Sequence, residues 1–305
     1  MSLAPTLGGA VYDRGYRPYE GPRGGRNYAR WALWRLSVRR ALGIRRSWRQ
    51  KVLPWTLLGL ATLPACVDIG IRYATRNTPP YRLDADIEDF LFTFKDYVGV
   101  STLLLLFVAV SAPDIICPDR HDRVLPLLFS RQLTGVDYVV AKVSAMFAII
   151  FGFAFIPQVV LFVGQMFVNK NGSIDYFQDH LDVLWKVPIS IAILALYYAL
   201  VSVALASLTD RRMVAGIAFI GLMMITHAVG QFFIESARPD GTIMSLVQLW
   251  TVPLVLRDIV FLGHVEPLGR LQGVEGAGFA AVFVYLAVLT ASAAVLLWRY
   301  REVDL

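Results

Sequence analysis

Residues Asp119 to Lys142, DRHDRVLPLLFSRQLTGVDYVVAK, form a charged island between two long apolar runs that are each able to cross a bilayer. The run before it includes TLLLLFVAV, and the run after it opens directly at Val143. The island carries an apolar stripe of its own (Leu125, Leu127, Leu128, Phe129, Leu133) and closes on Asp137-Tyr138-x-x-x-Lys142. A short segment with one greasy face does not stay in water alone, because exposed apolar area is costly. The stretch therefore reads as a cytoplasmic handle on which another molecule docks.

The composition around the handle sets the solvent. Of 305 residues, 56% are hydrophobic and only 17% charged, and the charges fall in clumps between long uncharged runs. That pattern places the chain in a membrane. A hydrocarbon core of about 30 Å needs roughly 20 helical apolar residues, since lipid offers backbone groups no partner. Six stretches meet this requirement: Val52–Ala74, Tyr97–Ile116, Val143–Val168, Val187–Leu208, Met213–Ile234 and Gly278–Trp298. A membrane β-barrel would show alternating segments of about ten residues instead. The expected fold is an all-α membrane protein with six transmembrane helices. A basic tail and in-plane helix occupy residues 1–51, the spans 52–298, and a short tail 299–305. The handle lies at 117–142, and an outer segment at 236–277.

The first 51 residues are polar and arginine-rich, with no apolar leader, so the first span is expected to direct insertion. Twenty of the 29 Lys and Arg fall before Val52, in the 117–142 loop, in the 209–212 turn or after Trp298. By the positive-inside rule both termini and the handle face the cytoplasm. The net charge of +6 is thereby assigned to topology and to anionic headgroups, not to nucleic acid. Cys66 and Cys117 sit toward opposite ends of spans one and two, which argues against a disulfide.

Along the chain, residues 1–26 combine Gly, Pro, Tyr and Arg without a period. Tyr12, Tyr16, Tyr19 and Tyr28 offer contact area for a cytoplasmic partner, the alternative being a basic tail near lipid. From Asn27 to Lys51 a helical period brings Trp31, Trp34, Val38, Ala41 and Leu42 to one face, with arginines over the rest. That fits an amphipathic helix lying in the membrane plane, or a soluble helix covered by protein. Asp68, toward the outer end of span one, is an intramembrane acid and so a functional suspect; water access also permits a structural role. Asp84, Asp86, Glu88 and Asp89 could draw a cation or form a solvated face. In span five, His227 and Gln231 stand one turn apart beside Thr226, which fits either a passage lining or an interhelical hydrogen bond. Residues 243–262 are broken by Pro253 and Arg257-Asp258, so they are read as an interfacial or re-entrant cap.

Reaction motifs are absent from the sequence. There is no GxxxxGK[ST] loop, HExxH, CxxC or GxSxG, and His121, His180, His227 and His264 lie in different segments. No catalytic, cofactor or metal residue is assigned. A lipid-modifying enzyme would have to use Asp68, Asp84 and His227, and a secondary transporter would be expected to show several buried ion pairs or an inverted repeat.

The handle resembles the permease family of bacterial ABC exporters, which includes drug, antibiotic and polysaccharide exporters. Members carry an acid- and arginine-rich run after span two, a leucine-rich segment, Ser-Arg-Pro-Leu, then an acid-Tyr pair and a Lys. Here these read Asp119-Arg120-His121-Asp122, Leu125 to Leu128, Ser130-Arg131-Gln132-Leu133, Asp137-Tyr138 and Lys142. The N-terminal YRPYEGPR, the arginine turn after span four and the terminal RYREV are also similar, so the likeness covers most of the chain. Arg123-Val124 replaces a frequent Gly-Thr, Pro126 an acid, and Gln132 a proline.

The resemblance implies a multi-pass subunit of the bacterial inner membrane that pairs with a second permease and binds two cytoplasmic ATPases. ATP and magnesium would belong to those ATPases and not to this chain. It also implies a coupling role for Asp119, Arg120, Arg123, Leu127, Leu128, Phe129, Arg131, Asp137, Tyr138 and Lys142. Arg120, Arg123 and Arg131 would be polar anchors, and Leu127, Leu128 and Phe129 the apolar plug. Spans two and five, with Thr226, His227 and Gln231, would line the substrate path.

Overall fold

Long apolar runs leave the backbone only itself to bond with, and the described parts of these runs are helical. The computed structural model describes residues 24–44, 48–75, 93–97, 101–129, 133–169, 172–236, 243–264 and 276–301. Its helices are α1 (Arg26–Ala41), α2 (Trp48–Thr75), α3 (Phe94–Tyr97), α4 (Ser101–His121), α5 (Leu125–Phe129) and α6 (Gly135–Val168). They continue as α7 (Ser173–Asp179), α8 (Val183–Ser207), α9 (Arg212–Ser236), α10 (Val252–Leu262) and α11 (Ala277–Arg301), with a 3₁₀ turn at Ile243–Val247. The described residues contain no strand. Among the described residues six helices are long and apolar enough to cross a bilayer, and each overlaps one of the six expected spans. The chain is an all-helical, multi-pass membrane protein. The acidic run from Asp84 to Asp89 lies outside the described residues, as do residues 1–23, 237–242 and 265–275.

Helix α8 is the hub, packed by α4, α6, α9, α10 and α11. Its buried stripe of small residues, Ala195, Ala199, Ser202 and Ala206, explains this. In lipid, helices associate through close packing, and small side chains let neighbouring backbones approach. Helix α4 is held between α8 and α9, and α2 lies against α6 and α4. Pro113 and Pro118 lie within α4 and Pro157 within α6, and both helices run on through them.

Two boundaries differ from the expectation, each for a local reason. Span three was expected from Val143, but α6 starts at Gly135 and runs 34 residues, about 51 Å at 1.5 Å per residue. A capping box starts it: the Thr134 hydroxyl accepts from the Asp137 N–H, and the Asp137 carboxylate accepts from the Thr134 N–H. Asp137, Tyr138 and Lys142 are therefore on the helix, not in a loop.

The helix expected from Asn27 to Lys51 ends instead at Ala41. Gly43 takes a left-handed φ of 66°, and Ile44 N–H bonds back to the Arg39 carbonyl, a glycine-terminated stop. Trp48 to Lys51 open α2. Of the expected apolar face, Ala41 is buried and Trp34, Val38 and Leu42 line a cavity of about 300 Å³ between α1, α2, α4 and α6. Trp31 points away and is 50% exposed. The residues that seat α1 are Leu33, Ser37 and Ala41, each one turn from the next.

Helix α10 has 11 residues, about 16 Å, too short to cross. It packs on α8 and α11, Tyr198 donates to the Trp250 carbonyl (3.1 Å), and Arg257 donates to the Lys95 carbonyl (3.0 Å). Arg257 and Asp258 are both buried and paired at 2.7 Å, which is how a charged dipeptide is tolerated among apolar neighbours.

Candidate docking site

Several charged groups gather where α4 ends, α6 begins and α1 crosses them. Asp119 is 2% exposed and its carboxylate takes Lys142 Nζ at 2.6 Å, the Tyr138 hydroxyl at 3.1 Å and a guanidinium nitrogen of Arg40. Lys142 has no exposed surface, and its ammonium also donates to the Ile115 carbonyl at 2.8 Å. A buried ion is tolerated when paired and hydrogen-bonded, and here one carboxylate accepts from two cations and a phenol.

Tyr138 connects this cluster to the short helix. Its ring lies 5.2 Å from Lys142 Nζ, 4.9 Å from the Tyr300 ring and edge-on to Phe129 at 5.9 Å. The last described turn of α11 therefore meets the start of α6. Phe129 and Leu128 are half-buried against the core, while Arg123 and Pro126 are exposed. Arg123 holds a left-handed φ of 52°, and this turn sets the direction in which α5 leaves α4.

Two further clamps fix the neighbourhood. Asp137 is 2% exposed and binds Arg26 Nε at 2.6 Å and Arg30 Nε at 2.8 Å, tying α1 to the first turn of α6. Arg120 Nε pairs with Asp210 at 2.9 Å and also reaches the Ser207 carbonyl, while Arg212 pairs with Asp114 at 2.8 Å. The α8–α9 turn is thus pinned to the last turns of α4. Cys117 is buried in the same place with its thiol toward the Ala206 carbonyl at 3.8 Å; Cys66 is exposed, and both thiols are free.

Of the ten residues singled out in the handle, Asp119, Tyr138 and Lys142 meet in one cluster, and Asp137 and Arg120 sit in its flanking clamps. Arg123, Leu128 and Phe129 lie on or beside α5. Arg131 is outside the described residues, as is the side chain of Leu127. The partners that sequence reasoning missed are Arg26, Arg30 and Arg40. A signal was present: Arg26 and Arg30 are one turn apart and so can converge on a single acid.

The proposed path residues lie elsewhere. Thr226 donates within its own helix to the Leu222 carbonyl. His227 stands edge-on to Trp250 at 5.1 Å, with its Nδ1 buried and without a hydrogen-bond partner, and its carbonyl accepts from Gln248 at 3.4 Å. Gln231 is half-buried. Asp68, fully buried, accepts from Arg72 and Gln165 at 2.8 and 2.9 Å, and the Tyr176 hydroxyl donates to Gln165 at 2.8 Å. Burial pushes that hydroxyl up to about 12, so it stays a donor. Among the described residues, no three His, Cys, Asp or Glu are grouped to hold a metal ion. No protein-family model matches the chain, and no curated protein matches it.

Proposed function

We propose that this chain is the permease subunit of an ATP-driven ABC exporter in a bacterial inner membrane, moving an amphiphilic substrate outward. Hydrolysis would occur on separate cytoplasmic ATPases carrying ATP and magnesium, with a second permease completing the pore. The supporting observation is the contact chain from Phe129 through Tyr138 to Asp119, Lys142 and Arg40. A partner pressing on α5 would push on the ends of two spans and on α1 together. Stiff, buried, charge-assisted contacts suit such a lever because they transmit displacement without slack.

In this reading the residues divide their work. Asp119, Arg120, Asp137, Tyr138 and Lys142 position the lever, and Arg123, Leu127, Leu128, Phe129 and Arg131 meet the ATPase. In this reading that end of the bundle faces the cytoplasm, which the bias of lysine and arginine in the sequence supports. Helix α10 and its preceding turn become a re-entrant cap on the outer side, and Thr226, His227 and Gln231 face the path. Asp68, the acid that a lipid-modifying enzyme would use, is already engaged by Arg72 and Gln165.

The test is co-purification. Tagged chain should bring down an ATP-binding subunit, and alanine at Leu127, Leu128 and Phe129 together should lose it while the bundle still folds. Purified chain turning over a lipid alone would replace this reading with the enzyme.

A further inference from the structure

On the side of the bundle formed by α6, α8 and α11 lies an open groove of about 790 Å³ with almost no polar lining. Its walls are Val136, Val140 and Phe147 of α6, Ile189 and Leu200 of α8, and Leu297 of α11. Val136 to Phe147 covers about 17 Å of helix, as does Ile189 to Leu200. Half of a hydrocarbon core of roughly 30 Å is about 15 Å. The two stretches are staggered, because α6 leaves the charged end at Gly135 while α8 reaches it at Ser207, 18 residues past Ile189; the groove therefore opens at the end that bears the buried charge cluster and runs beyond the depth of one leaflet.

That mouth is cationic. Ala293 and Leu297 line the groove, and Arg301, one turn beyond Leu297 on the same stripe of α11, is exposed. At the same end of α6, Asp137, next in sequence to Val136 of the wall, is shared by two guanidiniums (Arg26 and Arg30), leaving a surplus positive charge. Trp298, 61% exposed, stands at the same level, where indole rings favour the headgroup zone.

We infer that this groove is a binding site for an anionic phospholipid of the leaflet at the charged end. One acyl chain lies along α6, α8 and α11, and the phosphate sits near Arg301 and the Arg26–Arg30 pair. The apolar walls accept a chain without orphaning any polar group, and the rim supplies the charge that the headgroup lacks. Because α6 and α11 also carry Tyr138 and Tyr300, a lipid seated here wedges the two helices whose ends close over the Asp119 cluster. The inference needs only that the helices lie in a membrane; it does not depend on the exporter reading.

The experiment uses the full chain in nanodiscs of mixed phosphatidylglycerol and phosphatidylcholine. A trace phospholipid of either headgroup, with a photoreactive acyl chain, is added, and adducts are located by peptide mass spectrometry. Adducts should concentrate on groove-lining residues of α6, α8 and α11, with phosphatidylglycerol favoured. Val140→Trp, at a 58% exposed position of the groove wall, should fill the groove and sharply lower labelling there while leaving α2 and α9 labelling unchanged. Arg301→Gln should keep the adducts but reduce the headgroup preference about fivefold, the worth of one basic residue near the surface. Labelling spread evenly over the exposed faces of α2 and α9, or unaffected by Val140→Trp, would overturn the inference. So would a disulfide between two copies of Val140→Cys, which would make a second copy of the chain the occupant.

Discussion

Asp119, at the end of α4, and Lys142, two turns into α6, meet at 2.6 Å with neither side chain reaching solvent. The pair locks two spans on either side of the short helix α5. Its partners are unequal: Asp119 also has Arg40 and Tyr138, whereas Lys142 is otherwise held by the Ile115 carbonyl.

That inequality sets the order of damage. Asp119→Leu strands a buried ammonium and should cost about 3–5 kcal/mol. Lys142→Met leaves Asp119 with Arg40 and should cost about 1.5–3 kcal/mol. The double variant should be more stable than Asp119→Leu alone, because it removes the stranded charge. Thermal unfolding in detergent ranks the three; simple additivity of the two single losses would show that the residues are not coupled.

Helix α1 should detach when Asp137 is removed. Asp137→Ala frees Arg26 and Arg30 and breaks the reciprocal cap with Thr134, worth about 1 kcal/mol by itself. Arg26→Ala alone removes a half-exposed partner while Arg30 still holds the carboxylate, so it should cost far less than Asp137→Ala. A cysteine placed at Ser37, on the buried face of α1, reads the difference. It should resist a water-soluble maleimide in the parent and in Arg26→Ala, and react in Asp137→Ala.

The left-handed backbone at Arg123 separates folding from docking. Arg123→Gly relieves a conformation that costs a non-glycine residue about 1 kcal/mol and should leave the melting temperature equal or higher. Arg123→Val should destabilise. If Arg123 anchors a partner, the glycine variant should still weaken ATPase capture, giving a stable protein that binds poorly. Capture unchanged by Arg123→Gly would remove Arg123 from the anchor set.

Gly216 marks a close approach of α9 to α4. A Cβ there would lie 2.8 Å from the Ala109 carbonyl oxygen, a group whose i+4 donor is missing because that residue is Pro113. Backbone cannot swing aside, so Gly216→Ala should force the helices apart and cost about 1–3 kcal/mol. Gly221→Ala, on the same helix with open space around it, should be neutral or stabilising by up to about 1 kcal/mol. Equal melting temperatures would refute the close packing.

The spans were legible in the sequence because lipid demands long apolar helices, and both the pattern and the length of each run survive as a helix. The start of α6 could also have been read: Thr134-Gly-Val-Asp137 is a capping box, but the apolar count from Val143 overshadowed it. The end of α1 at Ala41 was signalled by Gly43, against a period that carried on to Lys51. The partners of Asp119 and Asp137 were not legible. Arginines 26, 30 and 40 precede their acids by about a hundred residues in sequence, and periodicity says nothing about which faces of distant helices meet. Asp68 was a functional suspect because an intramembrane carboxylate is costly, with a structural role as the other reading; Arg72, one turn on, could have been read as its partner, but Gln165 on another helix could not.

The exporter reading is tested most directly by ATPase capture and coupling in one preparation. Chain carrying Leu127, Leu128 and Phe129, and chain with all three as alanine, are each co-expressed with their neighbouring genes, purified through a tag and placed in proteoliposomes. The account predicts that the first brings down an ATP-binding subunit whose hydrolysis drives export from the vesicles, and that the second, equally folded, does neither. Export activity by this polypeptide alone, with no ATP-binding subunit present, would contradict it.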